Sequence, residues 1–409
     1  MGKKYNYDKK YLKGLGVGKF LGLVKERNKH IEMASDELKP FKYNANDLAE
    51  RLHPSFQYSK IKEVINRKDA KSFVFKPNIN KGTKELAFFR AGQYVSVIVR
   101  VGKNTYSRPY SISSSPKKAL GADSSYMITI KNNPDGFTSK EINSKWKVGD
   151  EVVFTGPLGE FYYSGIRDAK HVIAVAGGSG VTPFISMAEA IADGTEDFKL
   201  TLIYGAPKME AVLFKDELKA LEKKCNKIKV VYLLEKEKKA GCEHGFITSR
   251  IIRKYAKEDY SVFCCGPRGL YRAMDKVIAE LKLPRRRYRK EVFGEYGDPS
   301  KNPDFPKKLA NKEFNLTVKC HEETFKIKCN SSLSLLNAME KAGIHAPSHC
   351  RSGECGWCHS LLISGKVYNP KEIDGRRIAD KTFGWIHPCA SYPLSDIVLE
   401  IPNRFKGLK

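Results

Sequence analysis

Residues 171–187 read HVIAVAGGSGVTPFISM. This passage decides the fold of the middle of the chain. A near-continuous apolar run is a strand buried on both faces. Gly177, Gly178, Ser179 and Gly180 then turn the chain, and Thr182 and Pro183 open a helix, where proline is tolerated at the first position. Glycines at such a turn let a pyrophosphate approach the backbone at the helix N-terminus. The spacing is not G-x-G-x-x-G, and a glycine turn also serves tight strand-to-helix packing. Two further strand ends agree with the nucleotide reading. Tyr204 and Gly205 in YGA (204–206), and Cys265, Gly266 and Pro267 in CCGP (264–267), end expected parallel strands at the edge where open α/β sheets bind ligands. The strands HVIAVAGG, KLTLIYGA, KVVYLLE and YSVFCCGP alternate with helical text, so 166–293 is expected as an α/β nucleotide domain with a parallel sheet.

Working outward toward the N-terminus, the grammar changes. KSFVFKP, QYVSVIVRV, YMITIK and DEVVFTGP are short, alternating and β-branched, separated by turn residues, so 55–165 is expected as a small antiparallel β-barrel. Within it, RPYSISSS (108–115) offers Arg108 as a fork for phosphate, Tyr110 as a flat face for an aromatic ring and Ser111 as a small donor. GFTS (136–139) sets Gly136, Thr138 and Ser139 at the start of a helical stretch, where orphan N–H groups hold anions. Standing alone, either tetrapeptide also reads as a barrel turn or an ordinary N-cap.

Toward the C-terminus, 294–313 combines three prolines with charge and no periodicity, and reads as a linker. In 314–409, a hairpin (NLTVKCHEETFKIKC) and a helix (SLLNAMEKAG) precede Cys350, Cys355, Cys358 and Cys389. Their spacing, C-x4-C-x2-C with a distant fourth cysteine, is that of a plant-type [2Fe-2S] site. Gly353 and Gly356 let the chain pass close to sulfide without a Cβ. The alternatives are a zinc site, which prefers paired C-x2-C knuckles, or thiols that only pack. The other six of the ten cysteines are scattered and read as reduced thiols.

The 409 residues are enough for two to three domains, and 41% hydrophobic residues fill a core in each. No apolar run approaches a membrane span and no secretory h-region opens the chain, so the expected location is cytoplasmic. Net charge is +27. Residues 1–30 hold nine Lys or Arg against two acidic residues, and RRRYRK (285–290) adds five more. A solvated surface is the plain reading; an acidic protein partner, or peripheral contact with an anionic membrane, is the other. Nucleic acid is excluded, since no helix-turn-helix or RNA-binding motif accompanies the charge. Residues 1–54 form a basic extension of open role. There Gly14, Gly16, Gly18 and Gly22 argue against a stable amphipathic helix over YLKGLGVGKFLGLVKERNK, leaving a docking strap.

Taken in order, these motifs resemble the ferredoxin-NADP reductase superfamily, specifically flavin reductases fused to a C-terminal plant-type [2Fe-2S] ferredoxin domain, as in oxygenase reductases and hybrid-cluster-protein reductases. RPYS matches R-x-Y-S, GFTS matches G-x-x-S, GGSGVTP matches G-G-x-G-x-x-P, CGP matches C-G-P, and EVF (291–293) matches E-x-F. The resemblance covers 57–409 and is silent before that. It implies three domains, the last a β-grasp ferredoxin-like α+β fold. It implies a relay from NAD(P)H through flavin to the cluster and a separate acceptor protein. Arg108, Pro109, Tyr110, Ser111, Lys131, Gly136, Thr138, Ser139 and Phe293 are implied in flavin binding, with Ser111 near the flavin N5 and Cys265 beside the nicotinamide as catalytic groups. FAD is favoured over FMN because GFTS supplies a second phosphate anchor. NADH is favoured over NADPH because Ala206, Pro207 and Lys208 stand where NADP-selective relatives carry Ser and Arg. An electron conduit or redox-sensing subunit without its own NADH turnover is the alternative.

Overall fold

The computed structural model describes residues 16–34, 43–121, 123–133 and 136–402. In the first compact unit, which ends at Leu48, α1 (Val17–Glu32) is a helix whose described side chains are all exposed. This corrects the glycine argument. Only Gly18 and Gly22 fall inside the helix; Gly16 is its N-cap, and Gly14 lies outside the described residues. Two glycines cost about 1 kcal/mol each, and the remaining Leu, Lys, Glu and Arg propagate the helix. A second helix, α2 (Asn44–Leu52), buries none of its residues.

The barrel comprises β1 (Gln57–Arg67), β2 (Ala70–Pro77), β3 (Tyr94–Val101), β4 (Asn104–Ser111), β5 (Tyr126–Lys131), α3 (Phe137–Lys145) and β6 (Glu151–Leu158). Strand order is β4-β3-β6-β1-β2-β5, with every neighbouring pair antiparallel. Ile112, just past β4, bridges Ile128 of β5 and brings the two edges together. Alternation turns Phe73, Phe75, Val95, Val97, Ile128 and Phe154 inward, where with Ile142 of α3 they fill one core.

The middle domain runs β7 (His171–Gly177), α4 (Thr182–Ala192), β8 (Lys199–Ala206), α5 (Lys215–Lys224), β9 (Ile228–Leu234), β10 (Glu243–His244), α6 (Ser249–Tyr255), β11 (Tyr260–Cys265), α7 (Arg268–Leu281) and β12 (Tyr288–Glu291). All pairs in the order β10-β9-β8-β7-β11-β12 are parallel. The chain leaves β7 toward β8 on one side and returns to β11 on the other. That places a topological switch point between β7 and β11, where open sheets bind ligands. One core packs α4 and α5 against the sheet and a second packs α6 and α7 on the opposite face.

The third domain holds β13 (Glu313–Cys320), β14 (Glu323–Asn330), α8 (Leu335–Lys341), β15 (Ser360–Ser364), β16 (Val367–Tyr368), α9 (Ile378–Thr382), β17 (Trp385–Ile386), β18 (Tyr392–Pro393) and β19 (Ile397–Glu400). The order β14-β13-β19-β15-β17, parallel only between β13 and β19, is the β-grasp arrangement. Leu335, Leu336 and Met339 of α8 are buried against it, each worth roughly 1.5–3 kcal/mol.

The segment read as a linker is not loose. Tyr296 donates to Asn302 at 2.9 Å, Arg268 lies 4.4 Å over the Tyr296 ring, and buried Phe305 packs edge-on against Tyr368. Aromatic anchors hold it down where proline content alone predicts an extended tether. The basic run 285–290 is largely paired within the domain: Arg287 with Asp259, Arg289 with Asp168 and Lys290 with Asp275.

Candidate functional site

The switch point is built by close backbone contact. A Cβ on Gly180 would run into the Cys265 carbonyl, and one on Gly177 would meet the Pro267 ring, so the glycine turn after β7 lies directly against the end of β11. Tyr204 lies beneath this turn. Its ring is wholly buried, and its hydroxyl donates to the Gly178 carbonyl at 2.9 Å while accepting from Leu213 N. Thr182 closes the turn by donating to the Ser179 carbonyl at 3.0 Å. Burial pushes the Cys265 thiol well above its ordinary range, so it stays protonated and uncharged. That suits a group that packs beside a reacting ring and does not attack it.

In the barrel, RPYS ends β4 and GFTS opens α3. The two meet through a side-chain hydrogen bond between Tyr110 and Thr138, and burial pushes the Tyr110 hydroxyl up to about 12. Ser111 is buried, Lys131 is exposed at the end of β5, and Ser139 donates to the Gly136 carbonyl at 3.1 Å. Phe293, just past β12, packs edge-on against Tyr94 at 5.0 Å.

Arg108 is already engaged on one side. Its Nη1 donates to the Ser107 carbonyl at 2.8 Å and to Glu340 at 3.3 Å, and its Nη2 lies 3.5 Å from Glu295. Its Nε has no partner among the described residues, so an N–H edge is left for an anion such as a flavin phosphate. Burial and the neighbouring Arg351 lower its pKa, which remains far above neutrality for a guanidinium.

The four expected ligand cysteines converge. Cys350 Sγ accepts from the backbone N–H of Ser352 at 3.5 Å and of Cys355 at 3.4 Å, and Cys355 Sγ accepts from Trp357 N at 3.5 Å. Cys358 and Cys389 bring their sulfurs within 3.4 Å. A Cβ on Gly353 would strike the Ile373 carbonyl, and Gly353 adopts φ +82°, so this turn tolerates only glycine. The nearby imidazoles are engaged elsewhere: His387 Nδ1 donates to the Gly353 carbonyl at 2.7 Å, His359 Nε2 pairs with Asp380 at 2.8 Å, and His349 stacks on Trp357 with its Nδ1 3.4 Å from Thr155 Oγ1. An all-thiol donor set with N–H groups aimed at sulfur fits an iron-sulfur cluster.

Several residues here escaped the sequence reading. Arg351, directly after Cys350, is fully buried and donates to Glu340, Glu295 and Asn337. Burial alone would raise the Glu295 carboxyl, but Arg351 and Arg108 overcome it and hold it below the ordinary range. Glu291 is buried with Oε2 unpartnered among the described residues, and burial, reinforced by Glu354 and Cys350, raises its carboxyl well above normal. Ser107 Oγ of the barrel donates to the Ser348 carbonyl at 3.0 Å, and Thr155 Oγ1 lies 3.4 Å from His349 Nδ1. The start of the cluster loop is therefore tied directly to the barrel. A charged residue inside the otherwise apolar EVF was the available signal for Glu291.

Known families match each part. The Oxidoreductase FAD-binding domain matches residues 60–163, the Oxidoreductase NAD-binding domain 174–276 and the 2Fe-2S iron-sulfur cluster binding domain 318–394. The ferredoxin reductase component of 3-ketosteroid-9-alpha-monooxygenase from Mycobacterium tuberculosis is 29% identical over 83% of this chain and 93% of its own length. NADH-cytochrome b5 reductase 1 of Candida glabrata is 32% identical over 47% of this chain and 69% of its own. Among solved structures, phthalate dioxygenase reductase, described as a modular structure for electron transfer from pyridine nucleotides to [2Fe-2S], superposes with a TM-score of 0.61 at 27% identity. It covers 85% of this chain and 98% of the other.

Proposed function

We infer the work of this chain from its membership: it belongs to the ferredoxin-NADP reductase superfamily, as a flavin reductase fused to a C-terminal plant-type [2Fe-2S] domain. It is an NADH-dependent oxidoreductase that passes electrons from NADH through FAD to a [2Fe-2S] cluster and on to a separate acceptor protein. When bound, FAD and the cluster supply the redox chemistry, accepting a hydride as two electrons and releasing them singly. The protein's own groups bind and orient. The glycine turn 177–180 and Thr182 offer backbone N–H groups to the dinucleotide, and Gly266 and Pro267 bound the same cleft. Cys265 fills space at the nicotinamide position as a neutral thiol. Arg108 and the α3 N-terminus at Gly136 hold the flavin phosphates, Tyr110 and Ser111 face its ring system, and Cys350, Cys355, Cys358 and Cys389 ligate iron.

The acceptor in our reading is the terminal component of an oxygenase, because the relatives are reductase components of such systems. The setting is the cytoplasm; no helix among the described residues is long and apolar enough to cross a membrane. The observation that carries the reading is the seating of the cluster-bearing domain on both others: Ser107 Oγ of the barrel donates to the Ser348 carbonyl, two residues before Cys350, at 3.0 Å, and Arg272 of α7 donates to Glu372 at 3.0 Å. Air-free mixing with NADH tests it: flavin absorbance should bleach first and cluster absorbance second. Flavin that stays oxidised under excess NADH would leave the electron-conduit alternative.

A further inference from the structure

Four charged side chains from four segments meet in one buried place. Arg108 comes from the barrel strand β4, Glu295 from the segment after β12, Glu340 from α8 of the ferredoxin domain, and Arg351 from the cluster loop itself. Arg351 Nη1 donates to Glu340 Oε1 at 2.7 Å and its Nη2 to Glu340 Oε2 at 2.9 Å, while its Nε donates to Glu295 at 3.1 Å. Glu340 also accepts from Arg108 at 3.3 Å and, at 3.5 Å, from the backbone N–H of Ser107. The two positive and two negative charges cancel, which is how buried charge is tolerated. Around them, two neutral contacts tie the same strand to the same domain: Ser107 Oγ donates to the Ser348 carbonyl at 3.0 Å, and Asn104 Nδ2 to the Lys341 carbonyl at 3.1 Å.

We propose that Glu340 is a positioning residue for electron transfer into the cluster: its carboxylate joins Arg108 on the flavin barrel to Arg351 beside the ligand Cys350, and so fixes how closely the cluster loop sits on the barrel. Glu340 touches neither hydride donor nor iron ligand, and it meets Arg108 at Nη1 and not at the Nε edge assigned to flavin phosphate, so its effect falls on the second electron step. Electron transfer between two centres falls off exponentially with the distance between them, so a cluster loop that drifts away from the barrel slows the second step and leaves the first alone. The buried network removes that displacement. The inference rests on the electron route given above.

The test is stopped-flow mixing of the full-length, air-free protein with NADH, following flavin and cluster absorbance separately. In Glu340→Gln the flavin phase should match the parent and the cluster phase should be clearly slower than the parent's. Iron, labile sulfide and the oxidised spectrum should be unchanged. Glu340→Asp should recover part of the lost rate, and proteolysis within 294–313 should be faster in Glu340→Gln than in the parent. A cluster phase at the parent rate overturns the proposal, as does equal slowing of both phases. If Glu340→Gln loses its cluster or fails to fold, Glu340→Asp decides, because it keeps the charge and shortens the reach to Arg108 and Arg351. A slowed cluster phase there supports the proposal, and a parent-like one overturns it. A parent protein whose flavin is not bleached by NADH would instead defeat the electron route itself.

Discussion

The guanidinium of Arg351 is wholly buried and is gripped by Glu340 through both carboxylate oxygens, at 2.7 and 2.9 Å. Removing one partner from such a pair leaves uncompensated buried charge and costs about 3–5 kcal/mol. Arg351→Met leaves the two carboxylates Glu340 and Glu295 with Arg108 as their one remaining cation in the network. The ferredoxin domain of that variant should lose cluster absorbance at a clearly lower temperature, while flavin release, read by fluorescence, keeps its midpoint. An unchanged cluster midpoint would mean the pair adds nothing to stability.

Metal content follows from the thiol set. The purified, air-free protein should carry two irons and two labile sulfides, matching one cluster of the [2Fe-2S] type on four cysteines. Cys355→Ser should bleach the cluster and leave NADH-to-flavin reduction nearly intact, because the ligands lie in a separate domain from the glycine turn. Zinc in place of iron, or joint loss of both activities, would contradict this.

Flavin retention tests Arg108. Charge-assisted hydrogen bonds are worth roughly 1.5–3 kcal/mol each, so Arg108→Ala should purify with substoichiometric flavin. The extracted flavin should be FAD. Full occupancy in the variant would show that the free edge of Arg108 faces no phosphate.

Glu291 gives a pH dependence with a definite sign. Burial raises its carboxyl in the folded chain, so the fold keeps a proton that the unfolded chain loses near pH ~4.3. The unfolded state then binds fewer protons, and stability falls as pH rises from that point until the folded group also ionises. Glu291→Gln removes the titration. Its melting temperature should exceed the parent's by a margin that widens between pH 5 and pH 8; a constant margin across that range would refute the assignment.

Deleting residues 1–45 should preserve both cofactors and NADH oxidation with an artificial acceptor. Transfer to the oxygenase component should weaken at low salt and converge with the parent at high salt, since steering by exposed charge is screened. Loss of flavin on truncation would place the segment in the barrel.

Much of this was legible in the chain. Alternation in KSFVFKP and YMITIK gives β2 and β5, and HVIAVAGGSGVTP gives β7, its turn and α4, because strand and helix periods are local properties. The convergence of Tyr110 on Thr138 and of Cys265 on Gly180 followed only through the family's motifs. The Arg108–Glu340 contact was illegible: nothing in periodicity or composition links two charges 232 residues apart. The helix α1 runs against the glycine content of its segment because only two of those glycines lie within it.

That separation also orders events during synthesis. At roughly 5–20 residues per second, about 10 to 50 s elapse between the appearance of Arg108 and that of Glu340. The strand that carries Arg108 is therefore made before either of its carboxylate partners, Glu295 and Glu340. The iron-sulfur module is the last piece made, so the charge network closes only after the whole reductase half of the chain exists.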